Sequence, residues 1–150
     1  AEDKKYPFFK ARKNNNEYVI IPMVGSGLWG PVWGFVALED DYNTIYGATF
    51  AHKSETPGLG AEINTDFFEE PFKGKKIINQ SGVFVAIEVK KGGADKGSLH
   101  QVDGITGGTI TSDGVGDMLY NTLSVYHNYF SLNSALNNAD TLVNSQKTDI

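Results

Sequence analysis

The sequence predicts an α+β domain with a twisted antiparallel or mixed sheet and packed helices, and three features of its 150 residues predict it. β-Branched and aromatic runs separated by turn residues fill the first third of the chain, and a period-two pattern marks another strand near residue 85. After Ser112 the apolar residues recur three or four apart, which is a helical period. Strands followed by helix, without regular alternation of the two, is the order of an α+β fold.

The elements follow in order. Residues 1–17 set Lys4, Lys5, Lys10, Arg12, Lys13 and three consecutive Asn around the aromatic patch Tyr6 to Phe9, and read as a connector. Tyr18 to Met23 reads as a strand that Pro22 confines to an edge or an end, because proline cannot donate to a ladder. Gly25-Ser26-Gly27-Leu28-Trp29-Gly30-Pro31 reads as an ordered loop presenting Leu28 and Trp29. Val32 to Glu39 and Thr44 to Phe50 make an antiparallel hairpin across Asp40–Asn43. Pro57, Gly58 and Gly60 define a second loop, and Asn64 or Thr65 caps a short helix running to Glu70, with Phe67 and Phe68 as its apolar surface and Pro71 as its stop. Val83, Val85, Ile87 and Val89 predict a further strand. A helix over 114–130 buries Val115, Met118, Leu119, Thr122, Tyr126 and Tyr129, with Ser112 or Asp113 as its cap. Trp33, Tyr120 and Tyr126 read as core, and 131–150 as a polar tail or short helix.

Composition excludes several functions. A net charge of −5 without a basic stripe argues against nucleic acid as a partner. The absence of cysteine rules out thiolate metal sites and disulfides within the chain. His52, His100 and His127 are too scattered for a metal site, and no nucleophile, base and orienting acid assemble, so neither metal ligands nor catalytic residues are expected. No apolar run is long enough to cross a bilayer, and a start at Ala1 leads to the expectation of a missing N-terminal anchor.

The chemistry concentrates in Asp103-Gly104-Ile105-Thr106-Gly107-Gly108-Thr109-Ile110-Thr111-Ser112-Asp113-Gly114, where glycines and hydroxyls precede the helix. Free amides at a helix N-terminus attract phosphate, and glycine lets it approach the backbone. By composition alone, a turn whose hydroxyls merely cap the helix is the preferred reading. Neither a Walker motif nor a dinucleotide fingerprint is present.

Asp103 to Thr109 resembles the flavinylation motif D-x-x-[S/T]-G-A-T, whose last Thr receives FMN through its phosphate; Gly108 stands where Ala is usual. Together with Gly25–Pro31 and Glu55-Thr56-Pro57-Gly58-Leu59-Gly60, the motif is similar in order and spacing to the FMN-binding domain found in the C subunit of sodium-translocating NADH:quinone reductases, and less closely to the G subunit of Rnf complexes. The resemblance spans 18–130 and implies a single FMN-binding domain that carries electrons within a membrane complex. It further implies other subunits as partners, a flavin transferase during maturation, and a place on the periplasmic face of the bacterial inner membrane, reached through an N-terminal helix. It makes Thr109 the acceptor of covalent FMN. Thr106, Gly107, Gly108, Thr111 and Ser112 are then phosphate ligands, although Ser112 reads equally as a cap. Asp103 reads as a transferase recognition site, a metal site during transfer, or a turn initiator. Leu28, Trp29 and Leu59 are expected to pack on the ring, with Thr56 and the amides around Gly58 as donors and Glu55 nearby; core positions for Leu28 and Trp29 and a solvated loop for Glu55 are the plain alternatives.

Overall fold

Four strands form one antiparallel sheet in chain order: β1 (Phe9–Lys13), β2 (Asn16–Ser26), β3 (Pro31–Leu38) and β4 (Ile45–His52). The computed structural model describes residues 4–147; the remainder of the expected connector and tail lies outside the described residues. β1 belongs to the sheet, which corrects the reading of 1–17 as a connector. The physical reason is a two-residue hairpin: Asn14 and Asn15 adopt φ of 51° and 65°, the left-handed geometry that matches strand twist, and set Lys13 opposite Asn16. Ahead of β1, Phe8 packs edge-on to Phe130, and the Tyr126 hydroxyl donates to the Pro7 carbonyl. β1 pairs only as far as Ile20, so at Pro22 the middle strand is locally an edge and loses no ladder bond on that side.

The hairpin β3–β4 forms where expected, with Asp41 accepting the amides of Asn43 and Thr44 in its turn. Inward side chains Ile21, Met23, Val32, Val36, Leu38 and Phe50 build the core against helix α2 (Thr109–Lys147). The opposite face is also apolar: Val24, Trp33 and Ala51 share one rung, and Pro22, Phe35 and Thr49 the next. Trp33 therefore lies on this outer face, 38% exposed, and not in the core.

After β4, 3-10 turns at Gly60–Asn64 and Glu70–Phe72 flank the single helical turn α1 (Asp66–Glu69). Phe68 is buried against Phe50 and Phe72, whereas Phe67 is 82% exposed; only one of the expected pair faces inward. The predicted strand over 83–89 shrinks to β5 (Glu88–Lys90), because Ala86 sits at φ 56° and breaks the extended run. β5 pairs in parallel with β6 (Gln101–Asp103).

α2 is longer than expected at both ends. Its buried face is Val115, Met118, Leu119, Leu123, Tyr126 and Phe130; Thr122 is only half-buried, and Tyr129 and Tyr120 are exposed, Tyr120 packing on Phe84. Beyond Phe130 the helix continues to Lys147 in place of the expected tail or short helix. Among the described residues no helix is long and apolar enough to cross a membrane.

Candidate functional site

The glycine-rich segment leaves β6 and turns directly into α2. Gly107, at φ 76°, closes the turn, the Gly108 amide donates to the Ile105 carbonyl, and the helical ladder begins with Ser112 N–H donating to the Gly108 carbonyl at 2.9 Å. Helix therefore starts at Thr109 and not beyond Ser112 or Asp113, and the amides of Thr109, Ile110 and Thr111 precede its first bond. Ser112 is correspondingly not the cap: its Oγ lies inside the first turn and accepts the Ile105 amide at 2.9 Å, pinning the loop to the helix.

Glu55 binds this segment to the two other glycine loops. It is 4% exposed. Its Oε1 accepts the Trp29 amide at 2.9 Å and its Oε2 the Thr111 hydroxyl at 2.5 Å. Burial opposes its charge, but the bonds from Thr111 and from the Trp29, Leu28 and Gly30 amides outweigh that cost and hold the carboxyl below its ordinary value of 4.5. The plain alternative of a solvated loop carboxylate therefore does not hold, and Glu55 is a buried clamp. Thr111, 1% exposed and committed to Glu55, is placed as part of that clamp and not as a phosphate ligand.

Two clefts meet at Thr109. The first, about 240 Å³, has Lys91, Gly92, Thr106, Gly107 and Ser112 on its walls, with Ile105 and Asp113 also lining it. The second, about 220 Å³, has Leu28, Thr56, Leu59, Gly107, Gly108 and Ile110 on its walls, with Glu55 and Thr111 also lining it. Thr109 is half-buried and borders both. Asp103 lies outside them, in an adjoining groove with Thr106 and Phe67, and its Oδ1 accepts the Ala94 amide at 2.6 Å. Trp29 contributes its backbone to the clamp while its ring, 65% exposed, stands off the cleft walls. The Gly58 amide donates to Glu62 Oε1 at 2.9 Å and the Leu59 amide to the Thr56 carbonyl, so neither of these two donors is free.

Lys91 and Gly92 were not legible as site residues. Parallel pairing of Lys90 with Asp103, extended by the Gly104 amide donating to the Lys90 carbonyl, carries them beside the glycine segment. The Lys-Lys-Gly-Gly run was the available signal, but only the register links it to Thr109.

Residues 27–124, a span that takes in the second and third loops and all of the first but Gly25 and Ser26, match the FMN-binding domain family. The chain belongs to that family. The Na(+)-translocating NADH-quinone reductase C subunit of Vibrio alginolyticus is 48% identical over 97 residues, covering 65% of this chain and 38% of its own. Its counterpart from Chlamydia muridarum is 37% identical over 137 residues, covering 82% and 43%. The solved C subunit of the Parabacteroides distasonis reductase superposes on this FMN-binding domain with a TM-score of 0.76 at 51% identity, covering 81% of this chain and 60% of that one. Shewanella oneidensis NqrC gives 0.67 at 31%, covering 80% and 61%. The chain thus spans about two fifths of these curated relatives' length.

Gly108 is fitted to its own neighbours. A methyl there would lie 3.0 Å from Ile105 Cγ2 and 3.1 Å from the Gly60 amide nitrogen, tighter than ordinary contact. Gly108→Ala is expected to cost about 1 kcal/mol. Adding Ile105→Leu, which removes the branch at Cβ, recovers part of it. Urea denaturation of the single and double variants checks both.

Glu55 also sets an acid response. Its folded-state pKa is lowered, so its contribution to stability is complete above the unfolded value and is lost as pH falls through the folded one. Thermal midpoints of the parent should fall more steeply on acidification than those of Glu55→Gln; parallel curves would contradict this.

Proposed function

We propose that this domain carries electrons as the FMN-bearing part of the C subunit of a sodium-translocating NADH:quinone reductase, with FMN held by a phosphoester on Thr109. The observation that carries the reading is that Thr109 stands where two clefts meet, one bordered by Lys91, Thr106 and Ser112 and the other by Leu28, Leu59 and Ile110. FMN, when bound, supplies one-electron chemistry.

The residues present fit that group. Lys91, Thr106 and Ser112 line the first cleft and would hold the phosphate together with the amides of Thr109, Ile110 and Thr111, which precede the first helical bond of α2. Gly107 and Gly108 carry no side chain into the approach. Leu28, Leu59 and Ile110 offer the apolar surface a flat ring needs, and Thr56 a polar group at its edge. The domain would work on the periplasmic face of the inner membrane, anchored by a preceding helix and docked to other subunits, after a transferase that recognises the Asp103 loop has attached the flavin.

The test is coexpression with a flavin transferase followed by intact-mass measurement. One FMN adduct per chain is expected; an unmodified parent chain would refute covalent attachment.

A further inference from the structure

Three loops distant in sequence form the site, and one side chain joins them. Glu55 reaches the Gly25–Pro31 loop through the Trp29 amide and the start of α2 through the Thr111 hydroxyl, while its own amide donates to His52 Nδ1 at 3.1 Å, at the end of β4. Two glycines make room for it: a β-carbon on Gly27 would overlap Oε1, and one on Gly60 would lie 2.8 Å from Oε2 and collide with the Thr111 hydroxyl. A buried carboxylate is costly unless its oxygens are satisfied, and here both are, at the positive end of a helix.

We propose that Glu55 is a positioning residue: it assembles the attachment segment and the ring-facing loops into one site before any flavin arrives, acting through Trp29 and Thr111. The flavin half of this inference rests on the function proposed above; the assembly half does not. Removing the carboxylate would leave the Trp29 amide and Thr111 hydroxyl unpaired and free the Leu28–Trp29 segment from α2.

Hydrogen exchange on the flavin-free 150-residue chain reads the clamp directly. Glu55→Ala is expected to speed exchange at the Trp29 amide at least ten-fold while β2 and β3 ladder amides keep their protection. Glu55→Gln, whose carbonyl still accepts from Trp29, should fall between. Thr111→Val should speed Trp29 exchange less than Glu55→Ala, because one oxygen keeps its partner. Unchanged Trp29 exchange, or an equal rise at Trp29 and throughout the sheet, overturns the proposal. Should Glu55→Ala fail to fold, Glu55→Gln and Thr111→Val decide on the same amide. With transferase present, Glu55→Ala should slow flavin attachment at least ten-fold, and attachment at the parent rate would also overturn it. Thr109→Ala separates the two readings: it should abolish attachment and leave Trp29 exchange untouched. A parent chain that takes no flavin defeats the proposed function, and the exchange data still decide the role of Glu55.

Discussion

Thr109→Ala, coexpressed with the transferase, is expected to yield a folded, colourless domain with no mass adduct, and Thr109→Ser to retain the adduct. Four hydroxyls lie near the start of α2, and the structure separates them by what they already do. Thr111 donates to Glu55 and is buried; Ser112 Oγ accepts the Ile105 amide. Thr106 lines the first cleft and the adjoining groove but does not border the second cleft. Thr109 alone of the four borders both the cleft suited to a phosphate and the cleft suited to a ring, so a group tethered at its Oγ reaches each without displacing an existing bond. Its loss should cost little stability, since alanine is a strong helix former. Thr106→Ala is the control and should keep the adduct. An adduct surviving in Thr109→Ala would move the attachment to another hydroxyl, which peptide mapping would locate.

Much of this site was readable because its glycine loops are consecutive residues with their chemistry on view. The β3–β4 hairpin was legible for a similar reason, as two apolar runs joined by the short polar turn Asp40–Asn43. What escaped depends on contacts between segments. β1 is charged and exposed along most of its length, and its Asn14-Asn15 turn lacks the glycine that usually marks such a hairpin, so nothing local announced it. The strand expected over 83–89 alternates correctly in sequence but contains Ala86 in a left-handed conformation, held as its amide donates to the Ile77 carbonyl. Lys91 reaches the site through parallel register, and Glu55 is buried because Gly27 and Gly60 open space for it; neither fact is local. The same limit misplaced Thr111, whose hydroxyl is committed to Glu55, and hid the bond by which Ser112 Oγ accepts the Ile105 amide.

The glycines of α2 offer a test in which propensity and packing predict opposite signs. Gly114 and Gly116 both lie inside the helix, and helix propensity alone would make alanine stabilising at each by about 1 kcal/mol. At Gly116 it should be: a methyl would meet Val89 at 3.9–4.0 Å, ordinary van der Waals distance. At Gly114 a methyl would overlap the Ser26 carbonyl oxygen and stand 3.6 Å from Gly27 Cα, all backbone that cannot rotate away. The helix must then lift from the end of β2, and with it the segment that carries Thr109. Gly114→Ala is therefore expected to destabilise by about 3 kcal/mol, lowering the thermal midpoint by roughly 10 °C, and to reduce flavin attachment as well. Calorimetry on the two variants measures both signs. A stabilised Gly114→Ala would mean that α2 and β2 do not meet at Ser26, and the convergence of the three loops on Thr109 would lose its framework.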